Sequence, residues 1–155
     1  MSSSEPALQF LLDSSVLVKL YYREEEDAKI ALLLREGYLN GEWEIRVADI
    51  SFYELANALH YSVKYSPEQI IERVQSLLAM ELHTYGFDAW VLHSGLELCV
   101  EKNISIYDAY LVALAQRERL TFITADEKLW RKFHSDESIM ALRHFRHKLS
   151  GAKSN

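Results

Sequence analysis

The chain has a single cysteine, Cys99, in 155 residues, so no disulfide can form within it. Flanked by Leu98 and Val100, Cys99 reads as a small buried hydrophobe rather than a reactive thiol, because no histidine stands beside it. Long apolar runs are missing too. A membrane-spanning helix needs roughly 18 or more uninterrupted apolar residues, and the longest runs here, 30–34 and 109–115, are core-sized. The first residues, MSSSEPALQFLLDSS, put no Lys or Arg before their short apolar stretch, and Asp13 interrupts it. They make a poor signal peptide, and the cytoplasm is the expected location.

Positive charge is also in deficit. Seventeen Lys and Arg against 23 Asp and Glu give a formal net charge of −6, which argues against a protein that coats DNA without specificity. Distribution matters more than the sum. Lys128, Arg131 and Lys132 form one basic group, and Arg143, His144, Arg146, His147 and Lys148 form another. A solvated helix face and a tail are the simpler reading of both. An acidic balance still admits an enzyme whose carboxylates are neutralised by bound metal.

What is present is an ordinary globular composition, about half apolar and a quarter charged, at a single-domain length. Repeats, linkers and low-complexity stretches are absent; only the Ser-rich start and the terminal GAKSN read as disordered. One domain over 1–155, with its core from about residue 8 to about residue 145, is expected. Strand-like runs occur at 8–12 (LQFLL), 44–48 (EIRVA), 82–87, 120–123 (LTFI) and 139–145. Helical patterns occupy 26–35, 52–65, 67–82, 89–102 and 106–119. The clearest is 67–82, with Ser66 as N-cap, Pro67 at the first helical position, and Ile70, Ile71, Val74, Leu77 and Leu78 on one face. Alternating strands and helices predict an α/β fold: three layers, α/β/α, around a mainly parallel sheet of about five strands.

Open α/β sheets bind ligands beyond the carboxyl ends of their strands, and acids collect there. Asp13 follows LQFLL, Glu54 comes shortly after EIRVA, and Asp126 follows LTFI; Asp108 opens the most apolar helix, YLVALA. Each acid has a bland explanation. Ser51-x-x-Glu54 and Thr124-x-x-Glu127 fit capping boxes, Ser105-x-x-Asp108 resembles one, and Asp13 could be an N-cap. Together the four are harder to dismiss, because parallel strands would gather them at one sheet edge. Clustered carboxylates repel one another and are costly to desolvate, so a site that keeps them usually holds cations. An all-oxygen set favours Mg²⁺ or Mn²⁺ over Zn²⁺.

The order Asp13, Glu54, Asp108, Asp126, with the words LLDSSVLVKLYY, ISFYELANAL, ISIYDAYLVALAQ and TFITADEKL, resembles the PIN-domain nucleases. The resemblance covers about residues 8–135 and looks closest to VapC-type toxins of prokaryotic toxin–antitoxin pairs. It implies a metal-dependent endoribonuclease that leaves a 5′-phosphate and a 3′-hydroxyl. Asp13, Glu54 and Asp108 would be the main metal-holding acids, with Asp126 completing the set and Ser14, Ser15 and Thr124 supporting them. It also implies RNA as substrate, an antitoxin protein as partner and a homodimer. Aromatics beyond the needs of one sheet face, Tyr38, Tyr53, Tyr61 and Tyr65, fit a second subunit. An RNA-processing nuclease with no toxin role, or a regulatory PIN domain that binds without cutting, remains as an alternative.

Lesser signals complete the reading. Asn57 stands one helical turn beyond Glu54, within reach of the same edge. Asp49, Asp88 and Glu127 read as solvent-facing or capping. Lys19, Arg23, Lys128, Arg131 and Lys132 are candidate RNA-phosphate contacts. Tyr21, Tyr22 and Tyr107 suit base stacking, although core or partner-facing packing is simpler. His144-x-x-His147 has ligand spacing but no third ligand. Neither a G-x-G-x-x-G nor a P-loop occurs.

Overall fold

A computed structural model describes residues 7–24 and 26–146; the sequence ends read as disordered, together with His147 and Lys148, lie outside the described residues. Among the described residues five strands form: β1 (Gln9–Leu12), β2 (Glu44–Ala48), β3 (His83–Tyr85), β4 (Thr121–Thr124) and β5 (Ile139–Ala141). Their order is β3-β2-β1-β4-β5 and every pairing is parallel. The same described residues hold the α-helices that connect them: α1 (Ser14–Tyr21), α2 (Ala28–Leu39), α3 (Ile50–Tyr61), α4 (Pro67–Leu78), α5 (Ala89–Lys102), α6 (Ile106–Glu118) and α7 (Glu127–Lys132).

The central strand shows why two helical layers form. Side chains alternate across a strand, and in β1 Phe10 and Leu12 enter one core while Leu11 enters the other. The first core packs β1 and β2 against α1–α4; the second packs Leu11 and Phe122 against α5, α6 and α7. The predicted three-layer α/β/α architecture is therefore present. Helix α6 is buried continuously from Ala109 to Ala115, because the sheet covers one side and α5 another. Gly95 permits this: a Cβ there would stand 3.1 Å from the backbone of Tyr110.

Element limits differ from the sequence reading where the chain turns. The helix expected over 67–82 has the expected Ser66 N-cap, which the structure completes as a capping box with Gln69, but it stops at Leu78, and Glu81 turns the chain at φ 54°. The helix expected over 52–65 begins two residues earlier and ends at Tyr61, before Lys64 adopts φ 67°. The last strand is only Ile139–Ala141, followed by a 3-10 turn. Helix α1 had no distinct pattern in sequence: SSVLVKLY is short and apolar almost throughout, so it shows little periodicity.

Candidate active site

Asp13 ends β1, with its amide bonded to the carbonyl of Ile123 on β4. It sits as the N-cap of α1, yet its side chain caps nothing. Instead its Oδ2 accepts the Ser15 hydroxyl at 2.7 Å and the Thr124 hydroxyl at 2.9 Å. The residue is 5% exposed and Thr124 is fully buried. Ser15 Oγ also accepts the Ala125 amide at 3.0 Å, and Thr124 Oγ1 accepts the Asp126 amide at 3.0 Å. Strands β1 and β4 are thus stitched together through one carboxylate. The Ser14 backbone amide also supports the Asp13 carboxylate, and Ser14 lines an open cleft with Tyr53, Glu54 and Asn57. Asn57 thus lines the same cleft as Glu54.

The acids act on one another. Burial raises the Asp13 pKa, and the charge of Asp108 adds to this, while the Ser15 and Thr124 hydroxyls oppose it. Glu54 is pushed up to about 7, first by burial and then by Asp13 and Asp108. Asp108 is raised by burial, against the Ser105 hydroxyl and helped by Asp126. Four carboxylates from the starts of α1, α3, α6 and α7 thus share one electrostatic neighbourhood.

Two of the three local capping readings are corrected. Ser51 is already inside α3 behind Asp49, and its hydroxyl is buried without a partner. The cap of α7 is Asp126, whose Oδ1 accepts the amides of Lys128 and Leu129 at 3.0 and 3.1 Å, while Thr124 faces Asp13. Ser105 does cap α6, taking the Asp108 amide at 3.2 Å. Asp88 caps α5 and pairs with Arg117 at 2.9 Å, an ion pair that no local pattern signalled.

The residues present fit a divalent cation in their chemistry. Every candidate donor is a hard oxygen, and Glu54 Oε1 is buried with no hydrogen-bond partner among the described residues. Among the described residues no group of three or more His, Cys, Asp or Glu is already arranged to hold an ion. The acids are neighbours rather than a closed cage.

The basic candidates separate. Lys128 and Arg131 are exposed on α7, Arg131 in a loose 3.5 Å pair with Glu127. Lys132 instead donates to the carbonyls of Lys102 and Asn103 at 3.0 and 2.7 Å, tying down the end of α5. It is a structural tie rather than an open phosphate contact. Lys19 donates to the Glu26 carbonyl at 2.6 Å. Arg23 lines a different cleft, about 550 Å³, at the far end of α1 with Tyr21, Tyr22 and Arg73. Arg143, of the second basic group, pairs with Glu127 and lies over the Trp130 ring. Tyr21 and Tyr22 are half-buried against the first core, whereas Tyr107 is exposed. Tyr38 and Tyr65 are also half-buried, bonded to the carbonyls of Met80 and Tyr21; Tyr53 and Tyr61 are exposed.

Residues 10–133 match the family model described as PIN domain. The chain belongs to the PIN domain family. Ribonuclease VapC3 of Pyrobaculum aerophilum is 26% identical over 133 residues, spanning 81% of this chain and 95% of that protein. A toxin–antitoxin complex from Klebsiella pneumoniae contains a chain with the same fold, at TM-score 0.63 and 21% identity, covering 85% of this chain and 96% of that one. A Pyrobaculum aerophilum crystal structure, PAE2754, gives TM-score 0.68 and 18% identity over 93% of this chain and 90% of its own. Among the described residues, no helix of this PIN domain is long and apolar enough to cross a membrane.

Proposed function

We propose that this PIN domain is a VapC-type endoribonuclease, the toxin of a toxin–antitoxin pair, and that it hydrolyses RNA with Mg²⁺ or Mn²⁺. Family membership and the relative named as a ribonuclease support the chemistry. The fold shared with a chain from a toxin–antitoxin complex supports an antitoxin partner. The observation that carries the reading is the gathering of Asp13, Glu54 and Asp108 at one sheet edge, each raised chiefly by burial, with Glu54 Oε1 left without a partner among the described residues.

Asp13, Glu54, Asp108 and Asp126 are the residues that would hold the cation. Bound there, it would lower the pKa of a water and offset charge on the scissile phosphate. Ser15 and Thr124 fix the Asp13 carboxylate, so this buried group needs no reorganisation when the site is loaded. Glu54, with a pKa of about 7, carries a proton for much of the time in the unloaded site and releases it on loading. Asp126 divides its carboxylate, with Oδ1 capping α7, which keeps that helix and its Lys128 and Arg131 beside the acids. These two cations draw the RNA backbone toward a site that would otherwise repel it. Hydrolysis leaves a 5′-phosphate and a 3′-hydroxyl.

A homodimer accompanies this reading, because Tyr53 on α3 and Trp90 on α5 are 75% and 79% exposed and large apolar side chains favour burial. The decisive experiment is RNA cleavage by purified protein with Mg²⁺ or Mn²⁺. EDTA, Asp13→Asn and Asp108→Asn should each abolish it while circular dichroism stays native. Cleavage that survives Asp108→Asn would return this acid to a capping role.

A further inference from the structure

Beside the acids, toward β2 and β3, lies a cavity of about 190 Å³ that the reading above does not use. The first turn of α3 supplies Asp49 and Ile50, the segment before α5 supplies Phe87, and α6 supplies Tyr107 and Tyr110. Ile50 stands one helical turn before Glu54 on α3 and Tyr107 immediately precedes Asp108 on α6, so the two helix starts that carry these acids also wall the cavity.

Its walls are flat and aromatic. Phe87 is 70% exposed and lies parallel to Tyr110, with an interplanar angle of 8° and ring centroids 6.4 Å apart. The Tyr110 ring is held in place, because its phenol oxygen accepts the Asp88 amide at 2.9 Å. Tyr107 is 57% exposed. Among the lining residues the one formal charge is the Asp49 carboxylate. Asp49 heads α3, but unlike Asp88 and Asp126 its side chain caps nothing, and it has no hydrogen-bond or ion-pair partner among the described residues.

An apolar slot with aromatic faces and an uncommitted acceptor does not suit a phosphate, which needs donors or cations. It suits a planar ring that stacks and presents N–H groups. Single-stranded RNA offers that: splayed bases stack on aromatic side chains and are read along their Watson–Crick edges. An ionised carboxylate only accepts hydrogen bonds and can take two side by side. Guanine presents two adjacent donors, N1–H and the N2 amino group. Adenine and cytosine each offer one amino group on that edge, and uracil one N3–H.

We propose that this cavity seats one nucleobase next to the scissile phosphate and that Asp49 selects guanine there. The proposal rests on the ribonuclease reading for the origin of the base, and its test separates the two. The four ribonucleosides, which carry no phosphate for the acids to repel, are titrated into the metal-free full chain and followed by NMR chemical shifts. Guanosine should bind about tenfold more tightly than the other three, in the range of a bidentate base contact. Asp49→Asn should erase that preference. Phe87→Ala should weaken all four alike, since stacking is tolerant of base identity. Equal binding of all four, binding of none, or an equal loss of all four in Asp49→Asn would overturn the proposal; the second outcome would leave the slot to an apolar side chain of a protein partner. In parallel, cleavage sites are mapped with Mn²⁺ on an RNA containing every dinucleotide. Cuts bordering guanine that disperse in Asp49→Asn support the pocket. Cuts without base preference sink it and leave the nuclease standing. No cuts, with guanosine still preferred, would sink the nuclease and keep the pocket.

Discussion

Thr124 on β4 gives its hydroxyl hydrogen to Oδ2 of Asp13, the residue that follows β1, 2.9 Å away, and takes the Asp126 amide on the same oxygen. One small side chain therefore sets the distance between the first acid and the fourth. Replacing it with an isostere that lacks the hydroxyl leaves a buried carboxylate short of a donor and a buried amide short of an acceptor. Thr124→Val should destabilise the chain by about 1–3 kcal/mol and slow metal-dependent cleavage by about tenfold or more. Thr124→Ser should restore most of both. Urea denaturation and initial cleavage rates read the two effects, and equal behaviour of Val and Ser would refute the role.

The raised acids give the metal-free protein an unusual dependence on pH. Glu54 has a folded pKa of about 7 against 4.5 for the free side chain. Between those values the folded chain holds a proton that the unfolded chain has released. The contribution is complete below about pH 4.5 and is lost as pH rises through about 7. Burial shifts Asp13 and Asp108 in the same direction. With Glu54 partly open to solvent, its share is about 1 kcal/mol, or a few degrees in Tm. In EDTA, Tm should fall from about pH 5 to about pH 8, and Glu54→Gln should flatten the slope. A Tm that climbs with pH would contradict the burial of these carboxylates.

Cation binding should be linked to the same proton. Loading requires Glu54 to deprotonate, so Mg²⁺ or Mn²⁺ affinity should weaken below about pH 7 and protons should be released on binding. Isothermal titration in two buffers of different ionisation enthalpy counts them. Saturating metal should also remove the fall in Tm above about pH 7, because the cation then balances the charge. Proton release that persists undiminished in Glu54→Gln would assign the linkage to another group.

The three cations on α7 should divide into two behaviours. Lys128→Ala and Arg131→Ala should raise KM, leave kcat nearly unchanged and flatten the salt dependence by about 0.7 in log–log slope per lost phosphate contact. Lys132→Ala should instead lower Tm and leave the salt slope alone, because its ammonium is bonded to the carbonyls of Lys102 and Asn103. A salt slope that responds equally to all three would mean that Lys132 leaves those carbonyls when RNA arrives.

The acids were legible because strand ends and helix starts are local signals. EIRVA and the segment 89–102 were read to the residue, each having a clear apolar pattern and a sharp boundary. What the sequence hid was tertiary. The pattern Thr124-x-x-Glu127 has the form of a capping box, but the partner that claims the Thr124 hydroxyl lies 111 residues away. Lys132 looked like one more surface cation until the end of α5 came to rest against it. Asp49 read as solvent-facing or capping; it is exposed and caps nothing, but that it lines a cavity with Phe87 and Tyr110 was not visible locally. Helix limits failed at Glu81 and Lys64, where a left-handed residue ends a segment whose periodicity gives no warning.

The strand order has a consequence for synthesis. Strand β1 is made before the other four strands described, and one of its edges is closed by β2 soon after. Its other edge stays open until β4 exists, more than a hundred residues later, when Phe10 meets Thr121. Such distant pairings are slow to form and leave hydrogen-bonding edges exposed meanwhile. They also act as a time lock. A nascent chain that ends before Thr121 has neither the strand that clamps Asp13 nor the fourth acid, so a harmful activity would stay latent on the ribosome until both have been made.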